Sequence, residues 1–145
     1  MTPDVNILVA AFRKDHAHHA PARQWLTKAL SNGVAAMQVQ LFPPVVAGFL
    51  RLVTNPKVFA NPDAIAEALA FIDALLKFPG VNMGRAGEEW PQFRQLCLDE
   101  KLRGNAIPDA WLAAAITQQG GHLVTFDADF KKLLRRDQLT LLAAA

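Results

Sequence analysis

The spacing of apolar positions predicts that helices form much of the chain. Over residues 17–30, apolar side chains recur on one helical face and polar side chains occupy the other, which is typical of an amphipathic helix. Prolines in first turns, and glycine or Asn-Pro at the ends, delimit further helical segments. These additional helices are predicted over residues 43–54, 61–78, 88–102 and 108–119, with a short helical turn over 127–134.

Short apolar runs between the helices predict strands. They span residues 34–39, 81–83, 123–126 and 139–142, and a very short extended segment precedes Asp4. Short apolar strands that alternate with longer helices are typical of an α/β fold with a mainly parallel sheet. Because the chain has 145 residues and contains no repeat or linker, we expect residues 1–145 to form one domain.

Composition excludes several classes of protein. A single cysteine, Cys97, rules out a disulfide scaffold or a thiolate-rich metal site, and we expect it to be a small buried residue. The longest charge-free apolar stretch, residues 41–50, is about half as long as a membrane span. A basic-then-apolar leader is absent. These features predict a soluble, cytoplasmic domain, and its net charge of +2 says little until the acids are placed.

Acidic residues stand at predicted strand ends and helix starts. Asp4 follows the first extended segment, Asp109 comes directly after the Pro108 that opens a helix, and Asp127 follows the strand at 123–126. Each position also has a structural explanation. Asp4 can be a solvated terminal residue, Asp109 can interact with the helix dipole, and Asp127 can be an N-cap.

The joint placement of these three acids favours a metal site. Sites in open α/β sheets form at the carboxyl ends of the strands, so we expect the three carboxylates to share one crevice. Two carboxylates about 5 Å apart repel each other by roughly 3 kcal/mol at an effective dielectric constant near 20. Such a cluster therefore makes sense chiefly with a bound cation. Oxygen ligands suit Mg²⁺ or Mn²⁺, and sites of this kind most often handle phosphates.

The histidines, tryptophans and cations have less specific interpretations. His16, His18 and His19 lack the acidic partner of a zinc motif, so we expect them to be structural. The expected core or interface anchors are Trp25, Trp90 and Trp111. A basic run that follows Asp127 either flanks the acidic pocket and meets phosphates or forms a solvated helix face. The cations of this run are Lys131, Lys132, Arg135 and Arg136, and further candidates are Arg13, Lys14, Arg51, Lys57 and Arg103.

Several motifs share their order and spacing with those of a known family. They are Asp4-Val5-Asn6-Ile7-Leu8, Asp15-His16-Ala17-His18-His19, Gly48-Phe49-Leu50-Arg51-Leu52-Val53-Thr54-Asn55-Pro56, Ile107-Pro108-Asp109-Ala110 and Leu123-Val124-Thr125-Phe126-Asp127-Ala128-Asp129-Phe130. Over nearly the whole chain they resemble a PIN-domain ribonuclease, and more narrowly a VapC-type toxin of a bacterial toxin–antitoxin pair. The resemblance implies a three-layer α/β/α sandwich and endonucleolytic cleavage of RNA with Mg²⁺ or Mn²⁺. It also implies homodimers and inhibition by a VapB-type antitoxin.

The resemblance assigns roles to individual residues. Asp4 and Asp109 match the principal metal-binding aspartates, and Asp127 matches a later acid that often acts through a water or a second ion. These three are the expected catalytic and metal-binding residues. The expected supporting residues are Asn6 and Thr125, which match polar positions beside the metal, and Asp129, which ranks lowest.

One departure from the family lies on the helix predicted over 43–54. The family commonly carries a further acid there, usually Glu, whereas residues 46–48 are Val-Ala-Gly and no acid occurs between Asp15 and Asp63. A water or Gln40 would have to substitute, and the number of metal ions is left open.

Alternative functions follow from the missing acid and from other acidic-pocket folds. A degenerate PIN-fold module that binds RNA or a protein partner without cleaving RNA is the main alternative. A receiver domain and a haloacid-dehalogenase-type phosphatase fit less well, because Asn6 stands where the phosphatase needs its second Asp. For the toxin, we expect the antitoxin to insert a segment into the acidic crevice and to offer an Arg to its carboxylates.

Overall fold

A computed structural model of the chain describes residues 1–31 and 38–143, and these residues contain a parallel β-sheet. The strands are β1 (Thr2–Pro3), β2 (Val39–Leu41), β3 (Val81–Met83), β4 (Leu123–Thr125) and β5 (Leu139–Leu141). Strand β4 pairs in parallel with both β1 and β5, and β2 pairs in parallel with β3. The two ladders meet where the Gln40 N–H donates to the Met1 carbonyl at 2.8 Å. The described strands therefore form a three-stranded sheet in the order β1-β4-β5 and a two-stranded sheet of β2 and β3 that adjoins it beside β1.

Helices cover the sheet in two groups. They are α1 (Val5–Phe12), α2 (His19–Ser31), α3 (Pro43–Val53), α4 (Ile65–Leu76), α5 (Trp90–Asp99) and α6 (Ala106–Gln119). Helix α1 packs against α2, α3 and β4, and α4 packs against α3, whereas α5 packs closely along α6. Two short 3-10 helices, Ala128–Lys132 and Arg136–Gln138, connect β4 to β5. This three-layer α/β arrangement confirms the predicted fold class.

Most predicted elements are present, with shorter limits. Helix α3 ends one residue before the predicted 43–54, and β3 has exactly the predicted limits of 81–83. Helix α6 begins two residues before Pro108, which therefore lies inside its first turn. Within the prediction of a strand over 34–39, residues 34–37 lie outside the described part of the chain, and the described strand is Val39–Leu41.

Helix α1 is the main element that the periodicity did not predict. Asp4 is its N-cap, and the five residues from Ile7 to Ala11 are all buried. A helix that is buried on every side has no polar face, so it carries no amphipathic signal. The available signal was an N-cap residue directly before an apolar run.

Candidate active site

Asp4 is held at the junction of β1 and α1, at the carboxyl edge of the sheet. Its backbone N–H donates to the Val124 carbonyl at 2.9 Å, which continues the pairing of β1 with β4. Its carboxylate accepts the Val5 N–H at 2.7 Å and the Thr125 hydroxyl at 2.7 Å. Only 8% of Asp4 is exposed. Burial raises the pKa of Asp4, the two hydrogen bonds offset part of that rise, and the charge of Asp127 adds to it.

Thr125 connects the residues around Asp4. This threonine is fully buried at the end of β4, and its hydroxyl donates to Asp4 while accepting the Asp127 N–H at 3.0 Å. The Asn6 amide donates to the same hydroxyl at 3.0 Å, and the Asn6 carbonyl oxygen accepts the Phe126 N–H at 3.3 Å. Asn6 and Thr125 therefore hold the first turn of α1 against the end of β4 and orient the Asp4 carboxylate.

Asp127 and Asp129 lie in the turn that follows β4. The Asp127 carboxylate accepts the Asp129 N–H at 2.8 Å and so caps the 3-10 helix Ala128–Lys132. Asp127 is half-buried, whereas Asp129 is exposed. Asp127 therefore has the capping role that its position predicted. The cap uses only Oδ1, so the other carboxylate oxygen takes no part in it.

Asp109 lies in the first turn of α6 and faces the other acids. Burial first, and then the charges of Asp4, Asp127 and Asp129 in that order, raise the pKa of Asp109 to about 6. Asp4 and Asp109 line one cleft, Asp109 and Asp129 line another, and Asp127 is hydrogen-bonded to the Asp129 backbone, so we call the region of these four side chains the acidic crevice. A cleft of about 80 Å³ adjoins Asp4 and Asp109, and a second cleft of about 330 Å³ adjoins Asp109 and Asp129.

The acidic crevice supplies oxygen donors without a ready-made ligand cage. Across residues 1–31 and 38–143, no three His, Cys, Asp or Glu side chains stand in a group arranged to hold a metal ion. Asp4 and Asp127 each use carboxylate oxygens to cap a helix. The donors are nevertheless those that Mg²⁺ prefers, and this ion keeps several waters between itself and its protein ligands. The pKa of Asp109 is raised first by burial and then by the neighbouring carboxylates. A divalent cation would offset the negative charge of these carboxylates, so the donor chemistry fits such an ion.

Apolar residues of α3 line the side of the cleft where a further acid was expected. Phe42, Pro44 and Val45 line the cleft beside Asp4 and Asp109, and Val46 is 92% buried. Gly48 brings α3 against α1, because a Cβ there would lie 3.0 Å from a Val5 methyl carbon. A longer side chain at this position would force the two helices apart.

Gln40, the expected substitute for the missing acid, lies elsewhere. Its side-chain oxygen packs against Gly84, and Gln40 is not among the residues that line the Asp4–Asp109 cleft. Within the described residues, Gln40 therefore does not replace the missing acid, and the acidic crevice is formed by the four aspartates.

The three N-terminal histidines make local contacts. The His19 ring Nδ1 lies 2.8 Å from the Ala10 carbonyl oxygen, and the His18 N–H donates to the His16 ring at 3.0 Å. The His18 ring packs on Phe126 with ring centroids 4.9 Å apart. These contacts agree with the structural role predicted for the histidines.

The prediction that Arg13 is a candidate RNA-binding cation is wrong. Arg13 is 92% buried, and its guanidinium group pairs at 2.8 Å with both Asp15 and Asp63. It also donates to the Asn61 carbonyl at 2.8 Å and lies 4.0 Å above the Phe59 ring. All three guanidinium nitrogens already bond inside the fold and the residue is buried, so Arg13 is not placed to bind a phosphate.

Glu89 is a fully buried residue that the sequence did not single out. Its carboxyl group accepts the Trp111 indole N–H and the Gly87 N–H. Trp111 stacks on Phe93 with centroids 4.4 Å apart and lies two residues after Asp109 on α6. Glu89 therefore helps to fix the helix that carries Asp109. An exposed-looking Glu-Glu pair at 88–89 gave no sequence signal for this role.

Trp90 and Cys97 differ in part from the expected burial. Trp90 is 51% exposed although its ring contacts Phe93 and Trp111. Cys97 packs against the α5–α6 core but is only half-buried, because it lies at the edge of that small cluster rather than at its centre.

Comparisons with known proteins place the chain in a family. The PIN domain family matches residues 1–135. Ribonuclease VapC43 of Mycobacterium tuberculosis is 38% identical over 133 residues, which cover 91% of this chain and 88% of the relative. Ribonuclease VapC31 of the same organism is 37% identical over 131 residues, which cover 89% of each chain.

Two solved structures share the fold. VapBC2 from Rickettsia felis, bound to a DNA fragment from its promoter, matches with a TM-score of 0.63 and 16% identity over 98% of both chains. The Mycobacterium tuberculosis toxin VapC20, which cleaves the sarcin-ricin loop, matches with a TM-score of 0.64 and 17% identity over 90% of this chain and 92% of VapC20.

The parallel sheet, its flanking helices and the family match define the class: the chain belongs to the PIN-domain family. Within that family, identity of 37–38% over about nine tenths of its length places it with the VapC ribonucleases. The resemblance predicted from the motifs is therefore confirmed.

Proposed function

We propose that this chain is an endoribonuclease that uses Mg²⁺ or Mn²⁺ to hydrolyse RNA phosphodiesters, and that it is the toxin of a toxin–antitoxin pair. One observation carries the proposal: Asp4 and Asp109 line one cleft at the carboxyl edge of the sheet, where burial and the charges of Asp4, Asp127 and Asp129 raise the pKa of Asp109 to about 6. Membership of the VapC ribonucleases supports the same activity.

The residues of the acidic crevice would divide the work as follows. Asp4 and Asp109 would hold the divalent cation, and Asp127 would contribute through a water or a second ion. Thr125 and Asn6 keep the Asp4 carboxylate in one orientation through the hydrogen bonds described above. When bound, the cation supplies Lewis-acid polarisation of the phosphoryl oxygen and activation of water. The apolar wall formed by Phe42, Pro44 and Val45 limits solvent on one side of the cleft.

A VapB-type antitoxin is the proposed protein partner, and the cytoplasm is the proposed compartment. The solved VapBC2 assembly from Rickettsia felis supports a partner of this type. We propose that an antitoxin Arg reaches the carboxylates of the acidic crevice, because an arginine there would offset the charges of Asp4, Asp127 and Asp129 that act on Asp109. A homodimer is proposed on the resemblance to the family. Among the described residues, no helix is long and apolar enough to cross a membrane.

Cleavage of RNA by the purified chain tests the enzymatic proposal. The wild-type chain is expected to cut RNA with Mg²⁺ or Mn²⁺ and to stop on addition of EDTA. Asp4→Asn and Asp109→Asn are expected to lower the rate by about a hundredfold or more, because each removes a charged ligand. Asp73→Asn, at an exposed site on α4, is the matched control and should cleave normally. Full activity in either crevice variant would contradict the assignment.

The main alternative is a PIN-fold module that binds RNA or protein without cleavage. The apolar wall of α3 favours it, since this wall occupies the side where a further acid was expected. Calorimetric titration with Mn²⁺ separates the two functions. Binding that Asp109→Asn abolishes supports the nuclease, whereas no heat at millimolar Mn²⁺ supports the non-catalytic module.

A further inference from the structure

The four cations that follow Asp127 are sorted onto two different surfaces. Lys132 and Arg135 line one cleft of about 440 Å³, together with Gln92 and Thr117. Lys131 and Arg136 line another cleft of about 420 Å³, whose other walls are leucines and which meets the first cleft at the buried Leu134. This division could not be predicted from the sequence, because all four residues are close together along the chain.

Lys132 belongs to two clefts at once. It lines the cleft of about 330 Å³ that contains Asp109 and Asp129, and it also lines the 440 Å³ cleft that contains Arg135. Leu133 is shared in the same way. The two clefts therefore adjoin along the Lys132–Leu133 backbone. We call the cleft with Lys132 and Arg135 the basic cleft.

The local backbone explains why Lys132 stands next to the acids. Asp129 and Lys132 are three residues apart in the 3-10 helix Ala128–Lys132, and side chains at this spacing eclipse one another. The helix is capped by Asp127 and anchored by the fully buried Phe130. The 3-10 helix Ala128–Lys132 therefore contributes Asp129 to the acidic crevice and Lys132 to the basic cleft.

The polar groups of the basic cleft are available to a ligand. Lys132 and Gln92 are exposed, and neither side chain has a hydrogen-bond or ion-pair partner within residues 1–31 and 38–143. Arg135 pairs with Asp137 at 3.1 Å, but both side chains are more than 70% exposed. Exposed ion pairs contribute little to stability, so a phosphate can replace Asp137 at modest cost.

We propose that an RNA strand leaves the acidic crevice over Lys132 and enters the basic cleft, where Lys132 and Arg135 bind the phosphates that flank the scissile bond. The Gln92 amide faces the same cleft and can pair with a base edge. The inference rests on the proposed RNA substrate. It adds a path for the strand and assigns these two cations, and not Lys131 and Arg136, to phosphate binding.

Two double variants with equal charge change test this path. Lys132→Ala/Arg135→Ala is compared with Lys131→Ala/Arg136→Ala, both in the Asp109→Asn background and in EDTA, so that binding is measured without cleavage. The probe is a fluorescein-labelled single-stranded RNA of about sixteen nucleotides, followed by anisotropy at several salt concentrations. Thermal unfolding of each variant checks that the fold is retained.

We expect the first double variant to bind the RNA about tenfold more weakly, and its salt-dependence slope to fall by about 1.4 because two phosphate contacts are lost. The second should bind within about twofold of the parent. Equal losses in both variants would indicate diffuse electrostatic attraction and would overturn the path, as would parental binding by the first. If the wild-type chain fails to cleave RNA but the first variant alone loses binding, the cleavage proposal fails and the path stands.

Discussion

At the scale of single residues, the Asp109 carboxylate lowers the stability of the metal-free fold and is also a proposed metal ligand. Its pKa is raised to about 6, chiefly by burial and then by Asp4, Asp127 and Asp129. The folded chain therefore holds a proton on this carboxyl at pH values where the unfolded chain has lost it. Stability consequently falls as the pH rises from about 4 to about 6 and stays lower above that range.

Asp109→Asn is expected to stabilise the metal-free protein at pH 7.5. Because Asp109 is only half-buried, solvent screening reduces the gain to about 1 kcal/mol, or about 2–4 °C in melting temperature. The gain should vanish near pH 4, where Asp109 is protonated in both states. Melting curves in EDTA from pH 4 to 7.5 measure it, with Asp73→Asn as the control. A variant that melts below the wild type at pH 7.5 would contradict this account.

The same substitution should remove stabilisation by metal. A ligand that binds only the folded state raises its stability in proportion to the logarithm of ligand concentration over Kd. Wild-type chain should therefore melt at higher temperature in Mn²⁺ than in EDTA, while Asp109→Asn should not. If Asp109 is a metal ligand, Asp109→Asn should be more stable than the wild type without metal and should not respond to Mn²⁺. A residue that only packs in the fold would not give both results.

At the scale of elements, the position of α6 depends on a polar contact inside an otherwise apolar pair of helices. Glu89 is fully buried ahead of α5, and its carboxyl group accepts N–H groups from Trp111 on α6 and from Gly87. Alanines at 110 and 114 let α5 and α6 approach closely around Phe93. Asp109 thus depends on a contact made two residues further along its helix.

Glu89→Ala is expected to destabilise the fold by about 2–3 kcal/mol, because it leaves the Trp111 indole N–H and the Gly87 N–H without their acceptor and opens a cavity at a fully buried position. Glu89→Gln keeps one acceptor oxygen and should cost about 1 kcal/mol. Urea unfolding measures both, and Trp111 fluorescence should shift to longer wavelength in the alanine variant. Glu88→Ala, at the exposed neighbouring position, is the control. Equal effects at positions 88 and 89 would exclude the proposed contact.

At the scale of the whole molecule, the sequence predicted the parallel α/β class and the acids of the crevice, but not how they are held. Strand ends and helix starts are local features, so Asp4, Asp109 and Asp127 could be recognised from the chain alone. Helix α1 could not, since it is buried on all sides. The sorting of Lys131 from Lys132 also depends on which clefts surround a short 3-10 helix, which is a property of tertiary packing.

Arg13 shows how the far end of α1 is attached to the rest of the fold. Arg13 directly follows the last residue of α1, at the opposite end of the helix from its N-cap Asp4. Its guanidinium group binds the Asp63 carboxylate and the Asn61 carbonyl in the segment before α4. The segment is tied in turn to α3, because the Asp63 N–H donates to the Val53 carbonyl at 2.8 Å. The Arg13 side chain therefore links the end of α1 to the segment between α3 and α4, and the Asp63 backbone links that segment to α3.

Arg13→Met is expected to cost about 2–3 kcal/mol of unfolding free energy, since it removes the guanidinium group from above the Phe59 ring and leaves Asp63 and the Asn61 carbonyl without their donor. Lys14→Met, at the exposed next position, removes the same charge and should change stability by less than about 0.5 kcal/mol. Urea unfolding compares the two. RNA binding should fall no more in Arg13→Met than in Lys14→Met, because the buried guanidinium group meets no phosphate. A selective loss of RNA binding with unchanged stability would return Arg13 to the set of RNA-binding cations.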